Sequence, residues 1–238
     1  MRGNALNETP KKREKSIFRE YFELIVETAV FVFFVMTFVV QAFQIPSGSM
    51  EPTLLVGDFL LVNKLAYVRP VLPLEGAILP RKDLARKDIV VFKYPNELKK
   101  DYVKRIIGLP GETIEIRNKE VLIDGKPIEE KYKVHGDSQR YSGEGVYSYD
   151  NLIRGNYGPV RIPAGQCFVM GDNRDNSEDS RVWGFLPLDN IKGRPWVIYF
   201  SYRAERDAYQ KTSLGDRLRK FVSFLTKARF SRILRVVR

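Results

Sequence analysis

The sequence predicts a mainly β protein, in which one N-terminal transmembrane helix precedes a β-rich sandwich or partly closed barrel with a short inserted subdomain. An uncharged apolar stretch and a series of short apolar runs between turn residues support this prediction. We divide the 238 residues into four segments. These are a basic N-terminal segment (1–23), the helix (24–45), the β-rich domain (46–213) and a basic tail (214–238).

The helix prediction depends on an apolar stretch close to the N-terminus. From Leu24 to Ile45, 17 of the 22 residues are apolar, and no charge occurs between Thr28 and Met50. A helix needs about 20 such residues to cross a bilayer. A cleavable signal peptide and a buried core helix are the alternatives. The sequence 42–46 after the stretch is bulky and ends in proline instead of offering a small-x-small cleavage site, which favours a retained anchor.

The distribution of Lys and Arg beside this stretch predicts its orientation. The first twenty residues contain six of them, whereas residues 46–65 contain only Lys64. Because cytoplasmic flanks are enriched in positive charge, we expect a cytoplasmic N-terminus and an extracytoplasmic domain. Ser49, four residues beyond the predicted span, is then expected near the outer membrane surface.

The β-rich domain is predicted from short apolar runs separated by turn residues such as Pro110-Gly111 and Asp124-Gly125. Runs of this length and spacing are typical of a sandwich or barrel. The stretch 118–156 is more polar and without strong periodicity, and we interpret it as an insertion or small subdomain. The runs are Phe59–Val62, Ile89–Phe92, Tyr102–Ile107, Val121–Ile123, Cys167–Met170 and Trp196–Tyr202.

The chain contains too few cysteines and histidines for an intrachain disulfide or a Cys/His zinc site. Cys167 is the only cysteine, which excludes an intrachain disulfide, and His135 is the only histidine. The Cys and His ligands of a zinc site are therefore missing. We expect no metal and no cofactor.

The C-terminal tail concentrates positive charge. Eight Lys or Arg and no acidic residue follow Asp216, so these residues carry +8 of the net charge of +11. Because the topology places the tail outside, contact with anionic lipid or a solvated tail is favoured over nucleic-acid binding. A basic amphipathic helix is predicted because one helical face collects Leu214, Leu218, Phe221, Leu225 and Ala228.

The nine residues Pro46–Leu54 would alone fit a helix cap or a simple loop, but with the lysine further along the chain they suggest a serine nucleophile. The two prolines and Gly48 form a rigid turn that presents the hydroxyls of Ser47 and Ser49. A serine needs a base, and His135 lies in the polar insertion with no motif around it. Serine–lysine pairs are a known variant of the serine–histidine arrangement.

The lysine of such a pair is indicated by the run Asp101–Arg105. Lys104 shares a strand face with Tyr102 and Ile106, whose apolar surfaces would remove water from its ammonium. Lysine acts as a base only when its pKa is lowered toward the working pH, and burial lowers it.

A third segment, Gly171–Gly184, is too dense in Asp, Asn, Ser and Gly for an ordinary strand or helix. Together with Pro46–Leu54 and Asp101–Arg105, it resembles the type I signal peptidases, the membrane-bound Ser/Lys proteases. The resemblance continues through 57–64, 88–92 and 108–112 and covers about half of the chain. Family members often carry a second N-terminal span and a long inserted β domain, whereas this chain has one span and a short insertion.

The resemblance implies a role for each matching position. Ser49 is the expected nucleophile of an acyl-enzyme mechanism and Lys104 its general base. The oxyanion would be bound by the Ser47 hydroxyl and the Ser49 backbone N–H. In the third segment, Ser177 would orient the lysine, and Asp179 and Arg181 would form a structural ion pair that supports the site.

The implied substrates are secretory preproteins, cut at the outer face of the cytoplasmic membrane after small residues at −1 and −3. Proline at +1 should block cleavage. We expect an extended substrate to pair with an edge near residues 101–104. The expected pocket residues surround the motifs with apolar side chains: Phe43, Ile45, Met50, Val91, Tyr102 and Val103.

Other classes fit less well. The Ser-x-x-Lys, Ser-Asp-Asn and Lys-Thr-Gly signatures of penicillin-binding proteins are absent, as is the Gly-x-Ser-x-Gly hydrolase elbow. Self-cleaving repressors share the Ser/Lys pair but are soluble DNA-binding proteins. A membrane-anchored, non-catalytic binding module of the same fold is the remaining alternative, although both Ser49 and Lys104 are present.

Overall fold

The structure is a computed structural model that describes residues 16–67, 83–136, 155–203 and 226–237. The chain separates into two compact units, Met1–Phe38 and Val39–Arg238. The first contains the apolar helix, and the second contains the described β-strands. The prediction of a mainly β fold with one N-terminal apolar helix is confirmed.

Helix α1 spans Ile17–Phe34, and a π-helical segment continues it over Val35–Val39. The combined stretch is long and apolar enough to cross a membrane, and none of its most apolar window is buried in protein. The predicted end at residue 45 is wrong, because Val40–Gln44 forms strand β1. Hydropathy does not separate the two elements, since an apolar run fits a membrane helix and a half-buried strand equally well.

The large sheet has the strand order β1-β2-β11-β3-β4-β9-β10, with β12 paired to β11. All of its described pairings are antiparallel. Within the described part of the chain, β1 and β10 end this order and do not pair, so the sheet is open. Its strands are β1, β2 Asp58–Asn63, β3 Ile89–Tyr94, β4 Glu97–Gly108, β9 Gln166–Met170, β10 Leu186–Pro187, β11 Ile191–Ser201 and β12 Arg235–Val236.

A second sheet has the order β7-β6-β5-β8. It combines strands from inside the predicted insertion 118–156, β6 and β7, with strands on either side of it, β5 and β8. Asn118 and Lys119, where the predicted insertion begins, form the tight turn of the β5–β6 hairpin. Both have positive φ, as a two-residue type I′ turn requires. Residues 137–154 of the insertion lie outside the described residues. The strands are β5 Thr113–Arg117, β6 Glu120–Ile123, β7 Lys126–Pro127 and β8 Tyr157–Arg161.

Strand β3 separates two apolar clusters because its alternate side chains are buried on both faces. Ile89 and Val91 belong to one cluster, whereas Val90 and Phe92 belong to the other with Ile106. The first cluster also contains Ile45, Met50, Leu54, Leu60, Val62, Ile198 and Val237.

The predicted amphipathic tail helix is wrong for residues 226–237. Phe230–Arg232 forms a 3-10 turn, and β12 adds to the large sheet. Val237 is only 6% exposed and packs in the core. The prediction assumed that the cations of the tail are solvated, but the Arg232 guanidinium is buried against the Asp58 carboxylate. Residues 214–225 of the predicted helix lie outside the described residues.

Candidate active site

Ser49 lies in a 3-10 turn, Gly48–Met50, shortly after β1. Two hydrogen bonds from Asn173 hold the turn: its backbone N–H donates to the Ser49 carbonyl at 3.1 Å, and its side-chain amide donates to the Gly48 carbonyl at 3.2 Å. The motif that supplies the hydroxyl is thus fixed by the segment that begins at Gly171.

Lys104 projects from β4 toward this turn, and its Nζ lies 2.7 Å from Ser49 Oγ. The lysine is 4% exposed. Ile106 and Tyr102 lie on the same strand face, as the alternation predicted, and Nζ is 5.7 Å from the centre of the Tyr102 ring. The structure therefore brings the two predicted catalytic side chains into direct contact.

Burial lowers the pKa of Lys104 from 10.5 to about 8. Removal from water disfavours the ammonium, and this effect exceeds the opposing attraction of Asp179, while Arg181 lowers the pKa further. A substantial fraction of Lys104 is consequently neutral near pH 8, and a neutral amine accepts the proton of the adjacent hydroxyl.

Asp179 and Arg181 form a buried, two-point ion pair. Arg181 Nε and Nη2 each donate to one carboxylate oxygen at 2.8 Å. Asp179 also precedes the short helix α2, Ser180–Trp183, and accepts from the backbone N–H of Gly171 at 3.1 Å. Burial alone would raise the pKa of Asp179, but the Arg181 guanidinium and Lys104 hold it below its ordinary value.

Ser177 is buried beside the turn. Its Oγ makes no hydrogen bond with Lys104, although Ser177 helps Arg181 to hold the pKa of Asp179 below its ordinary value, so its lysine-orienting role stays a prediction. A Cβ at Gly171 would lie 2.3 Å from Ser177 Oγ and 2.4 Å from the Ser49 carbonyl oxygen. Glycine is therefore required at 171 for these two serines to approach each other.

Ser47 is exposed and has extended backbone geometry immediately before the 3-10 turn. Its hydroxyl does not cap that turn. Its predicted contribution to an oxyanion hole stays a prediction.

The six predicted pocket residues separate into two groups. Ile45, Met50 and Val91 belong to the first apolar cluster, and Phe43 and Val103 pack against it. Tyr102 lies on the other face of the sheet, where its ring stacks on Tyr94 at a centroid distance of 4.6 Å. Five of the six are therefore neighbours, and their substrate contacts stay a prediction.

Sequence reasoning did not identify a second buried ion pair below the turn. Arg105 donates to both oxygens of Asp172, at 2.8 and 2.7 Å, and Thr53 Oγ1 donates to Asp172 Oδ2 at 2.5 Å. A third pair joins Arg174 to Glu130. Strand alternation placed Arg105 opposite Lys104, but no local pattern indicated its partner 67 residues away.

Comparison with known proteins identifies the family of this chain. The family described as "Signal peptidase, peptidase S26" matches residues 18–200. The signal peptidase I of Pseudomonas aeruginosa is 36% identical, over 81% of this chain and 76% of that protein. The signal peptidase I of Aquifex aeolicus is 34% identical, over 85% and 92%. The enzyme of the same name from Leptolyngbya laminosa is 39% identical, over 69% and 70%.

Proposed function

The chain belongs to the signal peptidase family, peptidase S26, and we propose that it cuts its substrates with Ser49 as nucleophile and Lys104 as general base. It is a membrane-anchored serine-type endopeptidase that removes signal peptides from secretory preproteins. The observation that supports the dyad is the 2.7 Å contact between Lys104 Nζ and Ser49 Oγ in a buried site.

Proton transfer follows from that contact. Neutral Lys104 accepts the Ser49 proton while Oγ attacks the carbonyl carbon of the scissile peptide bond. The C–N bond then breaks, and the Lys104 ammonium returns a proton to the leaving amine. An ester between Ser49 and the signal peptide remains. Water, deprotonated by Lys104, hydrolyses this acyl-enzyme and regenerates the serine hydroxyl.

The developing oxyanion needs hydrogen-bond donors. The Ser49 backbone N–H lies in the middle of the 3-10 turn, and the exposed Ser47 hydroxyl precedes the turn. We assign both to the oxyanion, since two donors aimed at the developing charge are the usual arrangement for acyl transfer.

Substrate selection by small side chains at −1 and −3 is supported by the packing around the turn. Met50 and Ile45 are 1% and 3% exposed, and Val91 is fully buried. Met50 directly follows the nucleophile and lies in one apolar cluster with Ile45 and Val91, so we infer that the surface beside Ser49 is closely packed and offers only a shallow site. Alanine fits such a shallow site, whereas a large side chain would have to displace core residues.

We propose a single-pass topology in the cytoplasmic membrane. The cytoplasmic N-terminus is supported by the six Lys or Arg among the first twenty residues. The β-rich unit would then be extracytoplasmic, where exported preproteins emerge.

We also propose that the protein contacts membrane lipid. Because the C-terminal segment does not form the predicted helix, a different surface would make this contact. Phe230, Leu234 and Val236 are 78%, 75% and 50% exposed, and Trp196 of the neighbouring strand is 59% exposed. Exposed apolar groups with cations nearby are typical of an interfacial surface. We assign the bilayer contact to this face instead of to an amphipathic helix.

The decisive experiment measures cleavage of a model preprotein by the full chain in detergent. Ser49→Ala and Lys104→Arg should each lower turnover on the order of 10³-fold or more, because arginine cannot be deprotonated near pH 8. Lys126→Arg, at an exposed position on β7, is the matched control and should keep full activity. Wild-type turnover by Lys104→Arg would refute the lysine base, whereas no cleavage by the wild-type chain would favour the non-catalytic binding module.

A further inference from the structure

The C-terminal segment, residues 226–237, is bonded to the chain that follows the nucleophile. Arg229 donates to the Val56 carbonyl at 3.1 Å, and Val237 shares an apolar cluster with Met50 and Leu54. Main-chain bonds to β11 fix the segment, among them the Leu234 N–H to the Ile198 carbonyl at 2.8 Å. The bond between Arg229 and Val56 joins residues 173 positions apart in sequence.

Arg232 makes the central contact of this segment. Its Nε and Nη2 donate to the two carboxylate oxygens of Asp58, at 3.0 and 2.5 Å. Asp58 is fully buried, and the Arg232 side chain is 9% exposed. The same Nη2 donates to the Thr53 carbonyl at 2.9 Å. One guanidinium therefore ties a carboxylate at the start of β2 to the main chain four residues after Ser49.

Thr53 is held from two directions. Its hydroxyl donates to Asp172, and its carbonyl accepts from Arg232. The path from Thr53 back to the nucleophile is short, because the N–H of Leu54 bonds to the carbonyl of Met50 at 2.9 Å. A shift of Thr53 is thus passed to Ser49 through one turn of chain.

We propose that Arg232 is a positioning residue for the Ser49 hydroxyl, and that the C-terminal segment is a structural part of the active site. The proposal rests on the assignment of Ser49 as nucleophile. Arginine suits this role because its planar fork can bind a carboxylate at two points and still offer a donor to a carbonyl. The Arg232 guanidinium is bonded to Asp58 and Thr53 and not to Lys104, so we assign its effect to the turn.

The mode of action predicts which kinetic constants change. A nucleophile displaced by about 1 Å costs on the order of 10²-fold in rate. We expect substrate binding and the pKa of Lys104 to be unchanged, because Arg232 contacts Asp58 and Thr53 and is absent from the groups that act on that lysine most strongly. A loss of kcat without a change in KM or in the pH profile is therefore the signature of positioning.

The test measures signal-peptide cleavage by the full chain in detergent with Arg232→Gln. We expect kcat to fall about 10- to 100-fold. KM should change less than about threefold, and the pH of half-maximal kcat/KM should not move. Arg86→Gln is the matched control, because Arg86 also donates to a main-chain carbonyl (Ile107) and a carboxylate (Glu112), both away from the nucleophile turn. It should lose thermal stability but keep kcat within twofold.

A second variant separates positioning from folding. Arg232→Gln removes the guanidinium that neutralises the buried Asp58 carboxylate, and this alone can destabilise the fold. The double variant Asp58→Asn with Arg232→Gln removes both charges and should restore folding. Rates are divided by the folded fraction from circular dichroism, and the double variant should show the same kcat loss. Arg232→Lys should restore part of it.

The outcomes distinguish the two proposals. Wild-type kcat in folded Arg232→Gln or in the double variant, with Ser49→Ala inactive, would overturn the positioning role alone. Activity in Ser49→Ala would overturn the nucleophile assignment and this proposal with it. A kcat loss equal to that of Arg86→Gln would show that general destabilisation is the cause and would also overturn it.

Discussion

Replacing Lys104 with methionine should destroy activity and stabilise the protein. The lysine is buried at 4% exposure, and burial lowers its pKa from 10.5 to about 8. A lowered pKa means that the folded chain binds this proton less tightly than the unfolded chain does. The folded state consequently bears a free-energy cost wherever Lys104 is protonated. Methionine has a similar length and no charge, so it removes that cost.

The magnitude follows from the two pKa values. At pH 7 the difference between 10.5 and about 8 corresponds to about 3 kcal/mol. The cost is constant below pH 8 and declines as the pH rises from 8 toward 10.5, since the folded protein then releases the proton first. At pH 9.5 about half of this cost remains. For a unit of this size, about 3 kcal/mol raises the melting temperature by roughly 6–12 °C.

The assay is thermal unfolding of the full chain in detergent, followed by near-UV circular dichroism, at pH 7 and at pH 9.5. Lys104→Met is compared with wild type and with Lys126→Met, in which an exposed lysine is replaced. We expect the Lys104→Met increment at pH 9.5 to be about half of that at pH 7. Lys126→Met should show no increment at either pH.

A destabilised Lys104→Met protein would refute the reasoning, because the lysine would then contribute net stability in its charged form. An equal rise in melting temperature at both pH values would also refute the reasoning. Such an increment would show that methionine gains from packing and that the pKa of Lys104 is not lowered.

Three further predictions concern pH dependence, specificity and lipid contact. Arg181→Met should raise the pKa of Lys104 and move the acid limb of the activity profile to higher pH, since Arg181 lowers that pKa; an unmoved limb would contradict the assignment. Preproteins with Phe or Lys at −1 should not be cut, whereas those with Ala should, in a competition assay read by mass spectrometry; efficient cutting after Phe would contradict the shallow pocket. In vesicles with brominated anionic lipids, Trp196→Phe should abolish most fluorescence quenching and Trp183→Phe should not, because only Trp196 is exposed on the proposed face; equal quenching in both would contradict lipid contact there.

Local sequence patterns predicted the strands well because strands obey local rules. Apolar alternation placed Lys104 between Tyr102 and Ile106, and the structure confirms that face. The serine turn and the Asp-rich segment were recognisable because their residue types suit neither helix nor regular strand. The pairing of Ser49 with Lys104 was expected from the resemblance to the type I signal peptidases, and it agreed with the chemical need of a serine nucleophile for a base.

Long-range pairings could not be predicted in the same way. Val40–Gln44 continues an apolar helix in sequence and becomes a strand only because β2 is available to pair with it. The cations of the tail looked solvated because Asp58, which neutralises Arg232, lies 174 residues earlier. A truncation after residue 216 would also remove Val237 from the core. Such a chain would therefore change stability and lipid contact together, so single side-chain substitutions test the tail more cleanly.

Buried arginine–carboxylate pairs explain how Lys104 keeps a low pKa beside several carboxylates. A lone carboxylate at the position of Asp179 would act as a counter-ion and favour the ammonium. Arg181 binds that carboxylate at two points and lowers the pKa of Lys104 itself, so desolvation remains the largest effect. The pairs of Arg105 with Asp172 and of Arg232 with Asp58 likewise hold Thr53 without adding net charge. Geometry at this site is thus fixed by paired charges, while the basicity of the lysine is set by its removal from water.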